Sequence, residues 1–384
     1  MVRRAAAASA VLVLAGCASF SPDGGAARVS ELTTARTGHA VAPQRTEADV
    51  DTAARRVAEL LKQPLAPDSA VEVALLNHRG LQAGFAELGI AEADRVRAGR
   101  LTNPTFTFGR LSGGGVTEID RTVMFNVLGL LTMPLANDVA QRQLAQVQAR
   151  PAAGAVAAAG GGRNAVFGAR AGRRPVTYHE QVKEAADASS ELARRMQAAG
   201  NFSSLARLRE QSFQADATVN LARARHQAVA ARERLVRALG LSGDQLAFTL
   251  PARLPDLPAA PLDARDAEQT AIGQRLDVLM ARREVEATAK SLGLTRGTRF
   301  VNVLEAGYAN KSQTGEPRQN GFEIELELPL FDFGATRTAR AEAIYMQAVH
   351  RTAEVAANAQ SEVREMHSAY RTAYDLAKHY RDEA

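Results

Sequence analysis

The chain has 384 residues, enough for two ordinary domains or one elongated one. Apolar residues make up 46% of it, yet aromatics are only 5% and tryptophan is absent, a composition that suits long helices better than a dense globular core. The formal charge of +5 does not mark a nucleic-acid partner, because the cations are scattered, mostly matched by nearby acids, and not interleaved with aromatics.

In chain order, the first signal is MVRRAAAASAVLVLAGCAS. A basic start (Arg3, Arg4) leads into an apolar stretch too short to span a bilayer, then Leu14-Ala15-Gly16-Cys17. It resembles a bacterial lipoprotein signal: residues 1–16 are expected to be removed and Cys17 acylated. Cys17 is also the only cysteine, so no disulfide forms within one chain. Ala18 and Ser19 follow it, with no aspartate there to suggest retention in the inner membrane.

Residues 17–50 are expected to be a tether, small and polar in composition. Helical periodicity begins near Asp51 with Val57, Leu60 and Leu61. A second helix is expected from about Ser69 to Arg100, with Val73, Leu76, Leu81, Phe85, Leu88 and Ile90 on its apolar face. NPTFTFGRL then alternates, Phe106 and Phe108 on one face, Thr105 and Thr107 on the other. Gly113–Gly115 turns the chain into a second strand, RTVMFNVLGLLTMPL, so a β-hairpin is expected at about 104–134.

Residues 139–179 hold six arginines and no acid, and the helix expected after Gln148 meets Pro151 and the triplet Gly160–Gly162. Those residues break long helices. The stretch from about 149 to 175 therefore reads either as translation out of frame or as a low-complexity insertion. Two helices follow, ending and restarting around Gly200-Asn201-Phe202-Ser203-Ser204, which is the glycine stop and serine cap of an αα-hairpin.

The pattern helix, strand, turn, strand, helix recurs about 195 residues later, with 274–294 paralleling 77–97 and a hairpin at about 299–330. Pro329-Leu330 corresponds to Pro134-Leu135, Asp332 to Asn137, and Arg337 to Arg142. The domains are therefore a first repeat over 51–250, with its helical tip near 200, and a second over 251–384. The second is expected to be incomplete, because its last helix has no tip turn and no return. In FEIELELPL, Ile324, Leu326 and Leu328 share one strand face, and Glu323, Glu325 and Glu327 the other. That alternation fits a soluble sheet or a membrane barrel; four strands alone cannot close around water, whereas three copies supply twelve.

No catalytic constellation is present. The seven histidines are dispersed, no His-Glu-x-x-His occurs, and both glycine triplets lack the lysine and serine of a phosphate loop. No enzyme activity, cofactor or metal is expected.

The lipoprotein start, the duplicated strand hairpins, PLFDFGATRTARAEA at a strand-to-helix junction and AAGNFSSLARLREQ at a helical tip together resemble the TolC family of outer-membrane efflux proteins. The resemblance covers most of 50–384. It implies a mainly α fold with a small β part: long helical hairpins forming a tunnel, and two β-hairpins giving four strands to a trimeric twelve-stranded membrane barrel. It also implies an outer-membrane, lipid-anchored homotrimer lying mostly in the periplasm. Small molecules or ions delivered by an inner-membrane pump through a periplasmic adaptor would leave passively. Gly200, Asn201, Ser203 and Leu205 would contact the adaptor. Glu323, Glu325 and Glu327 would line the barrel, and Ile324, Leu326 and Leu328 would face lipid. The alternative is a periplasmic lipid-anchored coiled-coil adaptor or scaffold without a pore, whose sheet faces water.

Overall fold

Helix-favouring composition is realised along most of the chain. The computed structural model describes residues 18–261 and 266–383; the signal segment and Cys17 lie outside the described residues. Helices α1 (Ala26–Thr37), α2 (Glu47–Leu60), α3 (Pro67–Asn77) and α4 (Arg79–Ala98) precede strands β1 (Thr105–Gly113) and β2 (Val116–Asn126). Three long helices follow: α5 (Val127–Ala171), α6 (Arg174–Ala198) and α7 (Ser204–Leu239). Then α8 (Ala267–Gln274) and α9 (Leu276–Gly297) lead to β3 (Leu304–Gln313), β4 (Gln319–Leu326) and α10 (Ala335–Asp382). The order helix, strand, turn, strand, helix occurs twice in this succession. The fold is mainly α with one small antiparallel sheet.

The chain divides into two units. One comprises Met1–Arg28, Ala86–Pro151 and Leu262–Leu376; the other comprises Val29–Phe85, Ala152–Pro261 and Ala377–Ala384. The second holds a core built by Val57, Leu65, Val73, Ala74, Val166, Leu235, Leu239 and Phe248. Leu60, Leu61 and Leu76 pack against it from its margin. In the first unit polar rungs join the helices: Arg275 to Glu362 at 2.7 Å, Arg296 to Glu342 at 2.6 Å, and Lys290 to Asp138 at 3.2 Å. Asp138 is held below the usual carboxylate range first by Lys290 and then by Arg142.

The acid-free stretch does not break the helix. Helix α5 runs through Pro134 and Pro151 to Ala171. Its buried positions Ala152, Ala155, Ala159, Gly162, Val166 and Ala169 are spaced three and four apart, which makes one continuous helical seam. A β-carbon on Gly162 would lie 3.2 Å from the Ala70 carbonyl oxygen, the Ala74 methyl and a Leu239 methyl, so the missing side chain lets α3 and α7 pack close against α5 here. Burying the seam helps offset the helix bond lost at Pro151 and the entropy of the glycines around it.

Three other expectations are corrected. The stretch read as a tether carries α1, with Val29, Leu32 and Thr33 buried. Ser21 and Asp23 start it: the Asp23 carboxylate accepts from the N–H of Ala27 at 2.7 Å and of Gly25 at 3.2 Å. The helix expected over 69–100 is two helices, because extended backbone at His78 ends α3 while its ring nitrogen accepts from Leu81 N–H and caps α4. On that surface Val73, Leu81, Phe85 and Leu88 are buried, but Ile90 is 66% exposed. The first hairpin stops at Asn126 rather than near 134: the Asn126 side chain accepts from Gly129 N–H, and Val127 is already helical. The second hairpin pairs from Leu304 to Leu326, inside the expected 299–330.

Candidate functional site

The sheet and the helical tip carry the features that a function can use. The strand order is β1-β2-β3-β4, antiparallel throughout. The strands have 9, 11, 10 and 8 residues, close to the 9–11 or so that a tilted strand needs to cross a bilayer. Glycines with positive φ turn both hairpins, Gly114 and Gly115 in the first and Gly315 in the second.

The register sorts the side chains by face. Phe106 pairs with Val123, Val123 with Tyr308, and Tyr308 with Phe322, so one apolar row crosses all four strands. Phe125, Ala306 and Ile324 form the next row, and Leu304 with Leu326 the row after it, towards the helices. This face is not covered: Phe322 is 83% exposed and Ile324 61%. Towards the turns the same face becomes polar. Arg121 donates to Asn310 at 3.1 Å, Asn310 donates to Asn320 at 2.6 Å, and the Tyr308 hydroxyl donates to Asn320 at 2.7 Å.

The opposite face carries Thr105, Thr107, Thr122, Glu118, Asp120, Glu305, Glu323 and Glu325, with Lys311 the cation among them. Lys311 pairs with Glu118. Glu323 and Glu325 thus sit on the acid-rich face, and Ile324 and Leu326 on the apolar one. Glu327 and Leu328 lie beyond β4, in the loop before α10. Glu327 accepts there from Asn302 at 2.6 Å, and Leu328 is exposed. Sequence reasoning missed the polar row of Arg121, Asn310 and Asn320, and missed Glu118, Asp120 and Glu305. The alternation within LEAGYANKSQ was the available signal.

The tip has the geometry its residues suggest. Gly200, at φ +78, closes α6 with its N–H on Gln197 C=O at 2.9 Å, and Asn201 N–H returns to Met196 C=O at 2.9 Å. That pair of bonds satisfies the last carbonyls of the helix. Ser203 then caps α7, its hydroxyl accepting from Ala206 N–H at 3.1 Å. Leu205 and Leu208 are exposed just past the cap. Arg194 and Arg195 hold the Glu191 carboxyl down to about 2, so this end of the hairpin keeps its charge across the physiological range. Below the tip, Ser189 donates to Glu210 at 2.6 Å and Gln214 to Asp187 at 2.9 Å, joining α6 to α7. Lys183, ahead of Gln214, holds Asp187 low.

Among the described residues no helix is long and apolar enough to cross a membrane, and no group of three His, Cys, Asp or Glu could hold a metal ion. No protein-family model and no curated protein matches the chain. Solved structures do. The outer membrane protein VceC of Vibrio cholerae superposes with a TM-score of 0.61 at 16% identity, over 79% of this chain and 79% of its own. The CmeC outer membrane channel of Campylobacter jejuni gives 0.58 at 12% identity, over 91% and 78%. The MtrE outer membrane channel of Neisseria gonorrhoeae gives 0.58 at 14%, over 81% and 74%. The chain has the fold of these outer-membrane channel proteins, which is the TolC-type fold that its sequence resembles.

Proposed function

We propose that the chain is the outer-membrane channel component of a tripartite efflux pump, through which small molecules or ions pass passively from periplasm to exterior. One observation carries this reading: a single register across four strands separates an exposed apolar face from an acid-rich one. A soluble sheet would cover such an apolar face or dissolve it with charges. A barrel wall turns it to lipid and the polar face to a wet lumen. The four-stranded sheet leaves the outer edges of β1 and β4 unpaired, and open edges are not tolerated in hydrocarbon. Pairing β1 of one copy with β4 of the next closes twelve strands in a homotrimer.

Accessibility in the membrane-assembled protein tests this. Single cysteines at Ile324 and Leu326, in a Cys17→Ser background, should react with a lipid-confined probe. Cysteines at Glu323 and Glu325 should react with a small aqueous thiol reagent. Aqueous labelling at both 324 and 326 would favour the soluble scaffold instead.

The tip supports a partner at the far end of the hairpin. Gly200, Asn201, Ser203 and Leu205 form an exposed, well-capped turn next to an apolar pair, Leu205 and Leu208, suited to a periplasmic adaptor that links to an inner-membrane pump. A photo-crosslinker at Ser203 should capture a periplasmic protein in cells; adducts with outer-membrane proteins alone would count against the assignment. The anchor belongs to the same reading. Palmitate label should enter the mature protein and be lost in Cys17→Ala, and label retained in that variant would remove Cys17 from the scheme.

A further inference from the structure

The acid-free stretch leaves its charge unevenly neutralised. Of its arginines, Arg142 pairs with Asp138 at 3.2 Å, Arg150 with Glu87, and Arg163 with Asp68 at 2.8 Å. The remaining three, Arg170, Arg173 and Arg174, converge where α5 ends and α6 begins. Together with Thr177, Tyr178 and Gln181 they line an open cleft of about 600 Å³, flanked on its other side by Leu250–Ala252. No acid lines it. Arg173 and Arg174 have no ion-pair partner among the described residues. Arg170 gives one terminal nitrogen to the Ala252 carbonyl, while its Nε is buried with no hydrogen-bond partner. The nearest acid along α6, Glu180, is already bound to Arg225 at 3.0 Å.

We propose that this cleft is a binding site for a small, free oxyanion of the phosphate class carrying two or more negative charges. Guanidinium forks match the oxygens of such a group and donate to it in pairs. Three of them without a counter-charge repel one another, and a multivalent anion relieves that repulsion. The Thr177 and Tyr178 hydroxyls and the Gln181 amide supply further donors at the rim. The site is separate from the sheet, so it stands or falls independently of whether the sheet enters a membrane.

Calorimetric titration of the purified full chain in neutral detergent tests it, with inorganic diphosphate as probe. Ionic strength is held constant with sodium chloride so that general screening does not change. Saturable binding of one diphosphate per chain is expected. Arg173→Gln combined with Arg174→Gln should weaken it at least tenfold. Arg173→Lys, which keeps the charge and loses the fork, should weaken it less, and Arg209→Gln on an exposed face of α7 should leave it unchanged. Circular dichroism of each variant checks that the helices are intact. Absence of saturable heat with the unsubstituted chain, or equal loss in the Arg209 variant, would overturn the proposal.

Discussion

For the channel proposed above, replacing Ile324 with arginine is expected to prevent stable membrane insertion of the sheet, while the same charge one residue away, in Glu323→Arg, is expected to leave insertion intact. Ile324 lies in the middle of the apolar band, between the rows of Tyr308 and Leu304. On the lipid face near the midplane an arginine costs about 2–4 kcal/mol per chain, and a closed trimer would carry it three times. Glu323 points to the acid-rich face, where a guanidinium meets water and carboxylates. Membrane fractionation and trimer yield read the difference. The exposure of Ile324 makes the test discriminating: on a soluble sheet an exposed position tolerates substitution within about 0.5 kcal/mol. Equal membrane yield from the two variants would therefore argue for a sheet that faces water.

The second large effect falls on the glycine triplet. Gly162→Leu should destabilise the unit around the Leu235–Leu239 core by about 1–3 kcal/mol, the usual cost of forcing extra methylenes into a packed interior. Three atoms already stand 3.2 Å from where its β-carbon would be, one of them a backbone oxygen that cannot turn aside. At the neighbouring Gly161 nothing lies within 4 Å of an added β-carbon. Gly161→Ala should therefore stabilise the helix by about 0.5–1 kcal/mol, because alanine loses less backbone freedom on folding. Thermal unfolding followed at 222 nm separates the two. Similar small shifts from both variants would mean that α5 does not pack along that seam.

The same triplet shows why part of the fold was hidden. Elements with contrast between faces were legible: Phe-Thr alternation in β1, Glu-aliphatic alternation in β4, and the glycine and serine of the tip. Helix α5 has little contrast, because alanine and glycine occupy its buried and exposed positions alike, so its three-and-four spacing emerges only when neighbours define a side. The end of β2 was misread for a related reason. VLGLLTMP is an apolar run broken only by Thr132, and such a run suits a buried strand or a helix equally until the cap at Asn126 is seen. The α1 start, SPDGG, has the composition of a linker but the geometry of a cap. Of the candidate site, the two faces of β4 could be read locally. The rows across the sheet could not, since they depend on β2 pairing with β3 from a distant part of the chain. The arginine cleft was beyond reach as well, because it depends on which arginines of a charged stretch find acids elsewhere.

The two strand-to-helix junctions differ in a way that bears on how movement would travel. Strand β2 passes into α5 between Asn126 and Val127 with no residue to spare, so the hydrogen-bonded backbone of the sheet continues directly into that of a helix. Strand β4 reaches α10 only through residues 327–334, which include Pro329 and end at Gly334 with φ +78. A twist applied to α5 would therefore meet no loop before the sheet, whereas one applied to α10 would first cross eight residues of loop whose Gly334 packs against the Arg299 carbonyl.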